Sequence, residues 1–168
     1  VCKVSDCTFE SNGYYQEDAS GFYLEGANRR TVIANCTFEG NGFHGLLMGG
    51  VYGATVSNIS MRNNGFDGVC LWGGSNANTL SNITCLSNRC GIRLQSSYSP
   101  YIVDTFSEAI CRRNVITGLN TIENTYGIMC GISQNNMISN WHSNYDKYSY
   151  GYGVKAGNDY DSNIKING

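Results

Sequence analysis

The chain has 168 residues, a length typical of one domain, with 14% charged residues and a formal net charge of -2. Such a charge offers no basic surface for nucleic acid, and no stretch of about 18 apolar residues could span a membrane. The 21 glycines and equally frequent asparagines disfavour helix interiors, whereas 41% hydrophobic residues argue against disorder. The composition predicts a folded β-protein with many tight turns.

A repeated segment organises the first part of the chain. In four aligned copies an anchor residue interrupts a short apolar strand, the anchors are 23 to 29 residues apart, and an asparagine follows each anchor by six positions. The anchors and their following asparagines are Asp6 and Asn12, Asn35 and Asn41, Asn58 and Asn64, and Asn82 and Asn88. A glycine with apolar residues at alternate positions then begins the next strand, as in Gly45–Met48 and Gly68–Leu71.

The repeat weakens after Gln95 and resumes near Asn120 and Ile138, which gives about six copies. A copy this short cannot bury its own apolar face, so copies must stack strand on strand, with about 4.8 Å between coils. The sequence predicts an all-β, single-stranded, right-handed parallel β-helix of about six coils. It forms a single domain over residues 1–168, with an irregular insertion at about 96–114. A leucine-rich repeat fits less well, because its leucine spacing and helical half are missing.

Stacking also predicts which side chains are buried. In the strand around each anchor one parity of residues should point inward, and turn asparagines should share side-chain hydrogen bonds. The residues predicted to be buried are Cys7, Phe9, Cys36, Phe38, Ile59, Met61, Ile83 and Cys85. Free thiols in the core are favoured over a disulfide between the stacked Cys7 and Cys36. No cysteine pair has the CxxC spacing of a zinc site, so no metal ligand is predicted.

The asparagine turns and the strands that follow each glycine resemble the parallel β-helix repeat of the pectin-lyase-like superfamily over nearly the whole chain. Asn41–Leu46, Asn124–Ile128 and Asp159–Ser162 are similar to stretches of mannuronan C5-epimerase catalytic modules. The nearest counterpart of the epimerase signature is Ser20–Glu25, which lacks its Asp-Pro-His part. The resemblance implies a β-helix that binds or modifies polysaccharide outside the cell or at its surface.

One slot of the repeat, directly before the strand glycine, holds His44 and then Asp67. Stacking would place these residues about 4.8 Å apart, and an aspartate beside a histidine suits general acid–base work. For an enzyme we expect proton abstraction at C5 of a uronic acid, followed by elimination or epimerisation. His44 would be the acid or base, Asp67 its orienter and Arg93 the charge stabiliser. The alternative is a polar pair in a solvated turn.

Outward positions of the same strands are candidates for substrate binding. Tyr23 and Trp72 could stack on sugar rings, and Arg93 and Lys155 could bind the carboxylates of acidic sugars. Asp159–Asn163 has the opening of a calcium loop but lacks its glycine and distant glutamate. Calcium is therefore only weakly indicated, and no other cofactor is expected.

A second class of function remains open, a non-catalytic structural or adhesive β-helix of a surface or tail-spike protein. The two classes differ in clustering, because an enzyme gathers its histidine, aspartate and arginine in one groove, whereas a structural element scatters them. The repeat runs into both termini. We therefore expect the ends to pair with more β-structure, either in a longer chain or in a second copy stacked end to end.

Overall fold

A computed structural model describes residues 2–13, 19–26, 30–95, 110–131, 133–150 and 165–167. Within these ranges the regular structure consists of strands, and no helix is long and apolar enough to cross a membrane. The strands are β1 (Lys3–Ser5), β2 (Thr8–Glu10), β3 (Phe22–Glu25), β4 (Val32–Glu39), β5 (Leu46–Gly49), β6 (Thr55–Arg62), β7 (Asp67–Trp72), β8 (Thr79–Leu86), β9 (Cys90–Gln95), β10 (Cys111–Arg112), β11 (Val115–Ile122), β12 (Tyr126–Gly131), β13 (Ser133–Gln134), β14 (Met137–Asn144), β15 (Tyr148–Tyr150) and β16 (Lys165–Asn167).

The described strands form three sheets in which every pairing is parallel. Sheet A contains β1, β2, β4, β6, β8, β11, β14 and β16, sheet B contains β3, β5, β7, β9, β12 and β15, and sheet C contains β10 and β13. The chain passes from sheet A to sheet B in each coil and returns to pair beside its previous strand, the right-handed connection expected for parallel strands. The predicted right-handed parallel β-helix is confirmed, and six coils contribute a strand to sheet B.

The long strands of sheet A bend at their anchor residues. Asn35, Asn58 and Asn82 have φ angles of 55°, 56° and 53°, a left-handed conformation that asparagine tolerates. The bend turns the anchor side chains outward, where the Asn58 Nδ2 donates to Asn35 Oδ1 at 3.0 Å. Asn35 donates likewise to Asp6, and Asn82 to Asn58. We call Asp6, Asn35, Asn58 and Asn82 the exposed ladder.

The second set of asparagines lies at the bends that lead from sheet A into sheet B. Each side-chain amide donates to the next coil, and the column consists of Asn12, Asn41, Asn64, Asn88, Asn124 and Asp146. We call this column the buried ladder. A third column, Asn78, Asn114 and Asn136, joins coils at the return to sheet A and was not anticipated from the sequence. The predicted stacking of turn asparagines is therefore confirmed.

The core fills the space between the sheets, and most of the predicted inward residues are buried. Cys36, Phe38, Ile59, Met61, Ile83 and Cys85 are buried. The prediction was wrong for Cys7, which is exposed, and Phe9 is only partly buried although it stacks on Phe38 with ring centroids 4.8 Å apart. β1 and β2 lie at the edge of sheet A in the described structure, so a coil covers them on one side only. All eight cysteines are free.

The predicted insertion at about 96–114 falls mainly on residues 96–109, which lie outside the described ranges. Its end is regular, because Cys111–Arg112 forms β10 and pairs with β13. Asn114 then continues the third column, donating to Asn136 Oδ1 at 3.0 Å. Residues 111–114 thus follow the regular stacking, and the insertion itself stays a prediction.

Candidate functional site

The bends before β5, β7 and β9 lie in register because the buried ladder joins them. Asn41 Nδ2 donates to Asn64 Oδ1 at 2.8 Å, and Asn64 Nδ2 donates to Asn88 Oδ1 at 2.9 Å. The residues that follow these asparagines therefore lie in columns of their own. One such column places His44 next to Asp67, which opens strand β7 one coil later.

His44 and Asp67 contact each other in the described structure. The distance from His44 Nδ1 to Asp67 Oδ2 is 3.4 Å, and the two residues are 4% and 0% exposed. Neither of these two atoms makes a hydrogen bond, because the contact is poorly aligned. Catalytic hydrogen bonds are often long or misaligned before substrate binds. The alternative of a polar pair in a solvated turn is excluded by the burial.

Two arginines provide the counter-charge for the buried Asp67 carboxylate. Arg89 donates to Asp67 Oδ1 from Nη2 at 3.1 Å and from Nε at 3.3 Å. Arg93 approaches the other oxygen, with its Nη1 3.6 Å from Asp67 Oδ2. A buried carboxylate needs such partners, since a lone charge in a low-dielectric interior is strongly unfavourable.

Two aromatic rings pack over the ion pairs of Asp67, and we call Phe43 and Phe66 the aromatic wall. The rings of Phe43 and Phe66 stack with centroids 4.6 Å apart, and the Arg89 guanidinium lies 3.3 Å from the Phe66 ring centroid. His44 meets the Phe43 ring edge-on at 4.1 Å. These contacts restrict the imidazole and shield the Asp67 charge from water. They also add a cation–π attraction that holds Arg89 in place.

Burial dominates the protonation of the site. It lowers the pKa of His44 to about 3, and the nearby charges of Arg93 and Arg89 act in the same direction. Burial raises the pKa of Asp67, while the two arginines oppose that shift by favouring the carboxylate. Burial also raises the pKa of the Cys70 thiol. At neutral pH the site therefore holds a neutral imidazole and a neutral thiol beside the Arg–Asp–Arg group.

The outer face of sheet B carries two adjoining cavities. The first has a volume of about 280 Å³ and is lined by His44, Cys70 and Arg93 between the aromatic wall and Trp72. The second, of about 320 Å³, is lined by Tyr23 and Trp72 with glycines of neighbouring turns. Trp72 belongs to both cavities. We call the two cavities together the sheet B groove.

The structure brings together most of the residues that the sequence proposed. His44, Arg93 and Trp72 line the first cavity, and Tyr23 lines the second. Asp67 lies behind the lining and contacts His44 and Arg93. Tyr23 and Trp72 are exposed, at 49% and 42%. Lys155 lies outside the described residues, as does Asp159–Asn163.

Sequence reasoning missed Arg89, which makes the shortest contacts to Asp67. The signal was present, because the fourth copy has one residue fewer between its ladder asparagine and its strand glycine than the second and third copies. Alignment on Gly91 places Arg89 in the column of Phe66, and backbone hydrogen bonds confirm that register, with Arg89 N–H donating to Phe66 O at 2.7 Å. Cys70 lies two residues after Gly68, an outward position by the same alternation that predicts Trp72 to point outward, but it is buried at the floor of the first cavity.

Three side chains at this floor are of types that ligate metal ions. One potential ligand atom from each of His44, Asp67 and Cys70 lies within 4.8 Å of the other two. Sequence reasoning predicted the contact of His44 with Asp67 but not the addition of Cys70, because the three residues come from two coils and have no recognised metal-binding spacing. Among the described residues this is the one group of its kind.

Comparison with known proteins supports the architecture and leaves the activity open. Residues 1–167 match the family model described as a right-handed β-helix region. No curated protein matches the chain. Because the family model covers nearly every residue and the described strands form stacked parallel sheets, the chain belongs to the right-handed β-helix family.

Proposed function

We propose that this β-helix is an extracellular or cell-surface protein that binds an acidic polysaccharide along the sheet B groove and modifies it. The observation that carries the proposal is the gathering of His44, Asp67 and Arg93 around one cavity, beside exposed Trp72. A scattered arrangement of the same side chains would have favoured a purely structural role.

The proposed reaction begins with removal of the proton on C5 of a uronic acid residue. Asp67 lies beside Nδ1 of His44, which places the imidazole proton on Nδ1 and leaves the Nε2 lone pair as the base. The electron pair of the broken C–H bond moves into the substrate carboxylate group, where Arg93 stabilises the added negative charge. Expulsion of the C4 oxygen, which takes up a proton from water, then forms a C4–C5 double bond, whereas proton transfer from water to the opposite face of C5 inverts that carbon.

Substrate binding would make His44 a stronger base than it is in the free protein. The charges of Arg93 and Arg89 help to lower the pKa of His44 to about 3. A uronate carboxylate that pairs with Arg93 neutralises part of this charge, so it raises the pKa of His44 toward the working pH. The acidic group of the substrate is thus part of the proposed mechanism.

The aromatic side chains provide the apolar part of the proposed binding site. Trp72 stands between the two cavities, and Tyr23 lies in the second one. Each exposes a ring face large enough to stack on a sugar. We keep Lys155 as a proposed contact for a further carboxylate of the polymer on the strength of its repeat position alone.

The competing proposal is a β-helix that binds or displays without turnover. It draws on the Arg89–Asp67–Arg93 group, whose charges satisfy one another and tie strand β7 to β9. Such a group also serves as a cross-link between coils. It would need neither a substrate nor a proton transfer.

Incubation with a panel of uronic-acid polymers tests the proposal. Elimination produces an absorbing conjugated double bond, and epimerisation in D2O places deuterium at C5. For an active polymer, His44→Ala should reduce turnover by a factor of about 10² or more. His142→Ala is the matched control, since His142 is exposed and distant from the groove in sequence and fold. Binding without product would support the non-catalytic alternative, and unchanged turnover in His44→Ala would reject the role of His44.

A further inference from the structure

We propose that His44, Asp67 and Cys70 form a binding site for a divalent transition metal ion of the zinc type at the floor of the first cavity. One potential ligand atom of each lies within 4.8 Å of the others. Nitrogen, oxygen and sulfur donors together are a set that zinc accepts and that calcium or magnesium does not. The proposal requires only these three side chains and does not depend on a polysaccharide substrate.

The two closest donors already have the separation that a shared ion requires. Donors bound tetrahedrally at about 2.1 Å from zinc lie roughly 3.4 Å apart. His44 Nδ1 and Asp67 Oδ2 are 3.4 Å apart. The ligand atoms of the three side chains lie within 4.8 Å of one another, whereas sulfur and nitrogen bound to one zinc ion are roughly 3.6 Å apart, so a shift of about 1 Å brings Cys70 into the set.

Neither His44 Nδ1 nor Asp67 Oδ2 makes a hydrogen bond, and the charged group beside Asp67 Oδ2 is Arg93, at 3.6 Å. Both atoms are completely buried. Buried polar groups without partners are unusual and call for a physical reason. A metal ion between them would satisfy both at once. The ion could enter from the solvent side, because His44 and Cys70 line the first cavity.

The two arginines contact different oxygens of the Asp67 carboxylate, and this arrangement suits a metal ligand. Arg89 holds Oδ1 with two hydrogen bonds and so fixes the orientation of the group, as outer partners of metal ligands do. Arg93 stands 3.6 Å from Oδ2 without a hydrogen bond, and its side chain is 20% exposed. It can therefore turn into the cavity. Until it does, its charge competes with the metal ion for Oδ2.

A bound ion would change what His44 can do. With Nδ1 bound to metal, the imidazole keeps its one proton on Nε2, which then donates and cannot accept. If His44 is the base proposed above, the ion blocks the reaction. That consequence rests on the proposed function, whereas metal binding itself does not.

The test is a calorimetric titration with zinc chloride, together with cobalt(II) spectroscopy. Both use the full chain carrying Cys2→Ser and Cys7→Ser, because these two exposed thiols would bind metal on their own. We expect one equivalent of zinc per chain and a sulfur-to-cobalt charge-transfer band. Cys70→Ser should remove the band and weaken zinc binding at least about tenfold. Cys85→Ser, which removes a core thiol outside the cavity, should leave both unchanged.

A second variant gives an effect of opposite sign. Arg93→Gln removes the competing charge, so it should tighten zinc binding, and no merely structural role of the cluster predicts that. Absence of stoichiometric binding, a full cobalt band in Cys70→Ser, or unimproved affinity in Arg93→Gln would overturn the proposal. If zinc binds as expected while polymer turnover is unaffected, the metal site stands and the role of His44 as base is rejected.

Discussion

The exposed ladder and the buried ladder run along the same coils, but their hydrogen bonds point in opposite directions. In the exposed ladder each amide donates to the preceding coil, as Asn58 does to Asn35 at 3.0 Å. In the buried ladder each amide donates to the following coil, as Asn64 does to Asn88 at 2.9 Å. The side-chain dipoles of the two asparagine columns therefore point in opposite directions along the β-helix.

Each ladder has an aspartate at the end toward which its donors point. Asp6 accepts from Asn35 at 3.0 Å, and Asp146 accepts from Asn124 at 2.9 Å. An ionised carboxylate has no proton to donate, so it fits only where a column needs a final acceptor. The position of the single aspartate in each column therefore shows in which direction the amides of that column donate.

The two ladders have the same kind of side-chain hydrogen bond between coils, but they differ in the other groups that their amides bind. The exposed ladder joins neighbouring side chains at the surface. The buried ladder also satisfies backbone groups, because Asn64 Nδ2 donates to Phe38 O and the Asn64 N–H donates to Asn88 Oδ1. The bends that carry His44 and Asp67 follow the buried ladder directly. The proposed site therefore follows the column whose amides also bind the backbone.

Removing one member of the buried ladder should produce the largest effect. Asn64→Ala removes the acceptor of the buried Asn41 N–H, one of the two acceptors of the Asn41 side-chain amide, and the side-chain donor to the Phe38 carbonyl. Each buried unpaired group costs about 1–3 kcal/mol, so the free energy of unfolding should fall by roughly 3 kcal/mol or more. Denaturant unfolding measures it. A loss below about 1 kcal/mol would show that water replaces the amide and that the ladder is not the main support of the bend.

The matching change in the exposed ladder should cost less and for a different reason. Asn58 has a φ of 56°, a conformation that costs alanine about 1–2 kcal/mol, while its side-chain hydrogen bonds compete with water. Asn58→Ala should therefore lower the free energy of unfolding by about 1–2 kcal/mol. Asn58→Gly accepts the same φ and should recover most of that loss. If both variants lose equally, the hydrogen bonds and not the backbone set the cost.

The ladders also show how far the sequence alone determines the structure. Asn41, Asn64 and Asn88 recur at a fixed offset from their anchors, so one stacking rule predicts the fold and the contact of His44 with Asp67. Asn78, Asn114 and Asn136 also share an offset, since each lies four residues before the anchor position of its copy. The earlier copies have Thr31 and Ala54 at that place, so an alignment of the first copies did not reveal this column or sheet C beside it.

The composition of the groove was harder to predict than the fold. Period-two alternation predicts Cys70 to point away from the core, and it does. It is buried because it forms the floor of a cavity whose walls include the rings of Phe43, Phe66 and Trp72. Trp72 belongs to β7 and follows the alternation, whereas Phe43 and Phe66 come from bends, where strand periodicity carries no information. Arg89 was missed for the same reason, since a one-residue deletion in its bend moves it beside Asp67.

The exposed ladder is interrupted at Gly118, and its repair should give a smaller effect of opposite sign. Gly118 has a φ of 64°, and a Cβ there would lie 2.8 Å from Asn82 Oδ1, the mobile end of a side chain. Gly118→Asn should let the new amide donate to that oxygen and continue the column. We expect the free energy of unfolding to rise by about 0.5–1 kcal/mol, since glycine also loses more chain entropy on folding. Gly118→Ala is the control: it cannot donate, and alanine is disfavoured by about 1–2 kcal/mol at this φ, so it should lower the free energy of unfolding.

The smallest effect concerns the acid at the end of the exposed ladder. The hydrogen bond from Asn35 is the main cause that holds the pKa of Asp6 below its ordinary value, with Ser5 contributing. A depressed carboxyl pKa means that this contact stabilises the fold at neutral pH, and the stabilisation is lost as pH falls through the native pKa. Asn35→Gly keeps the positive φ but removes the donor, so the pKa of Asp6 should rise part of the way back. NMR titration of the Asp6 carboxyl carbon measures the shift. Asn82→Gly changes the same column two coils from Asn35 and should leave the Asp6 titration unchanged. An equal shift in both variants would mean that long-range charge, and not the ladder, sets the pKa of Asp6.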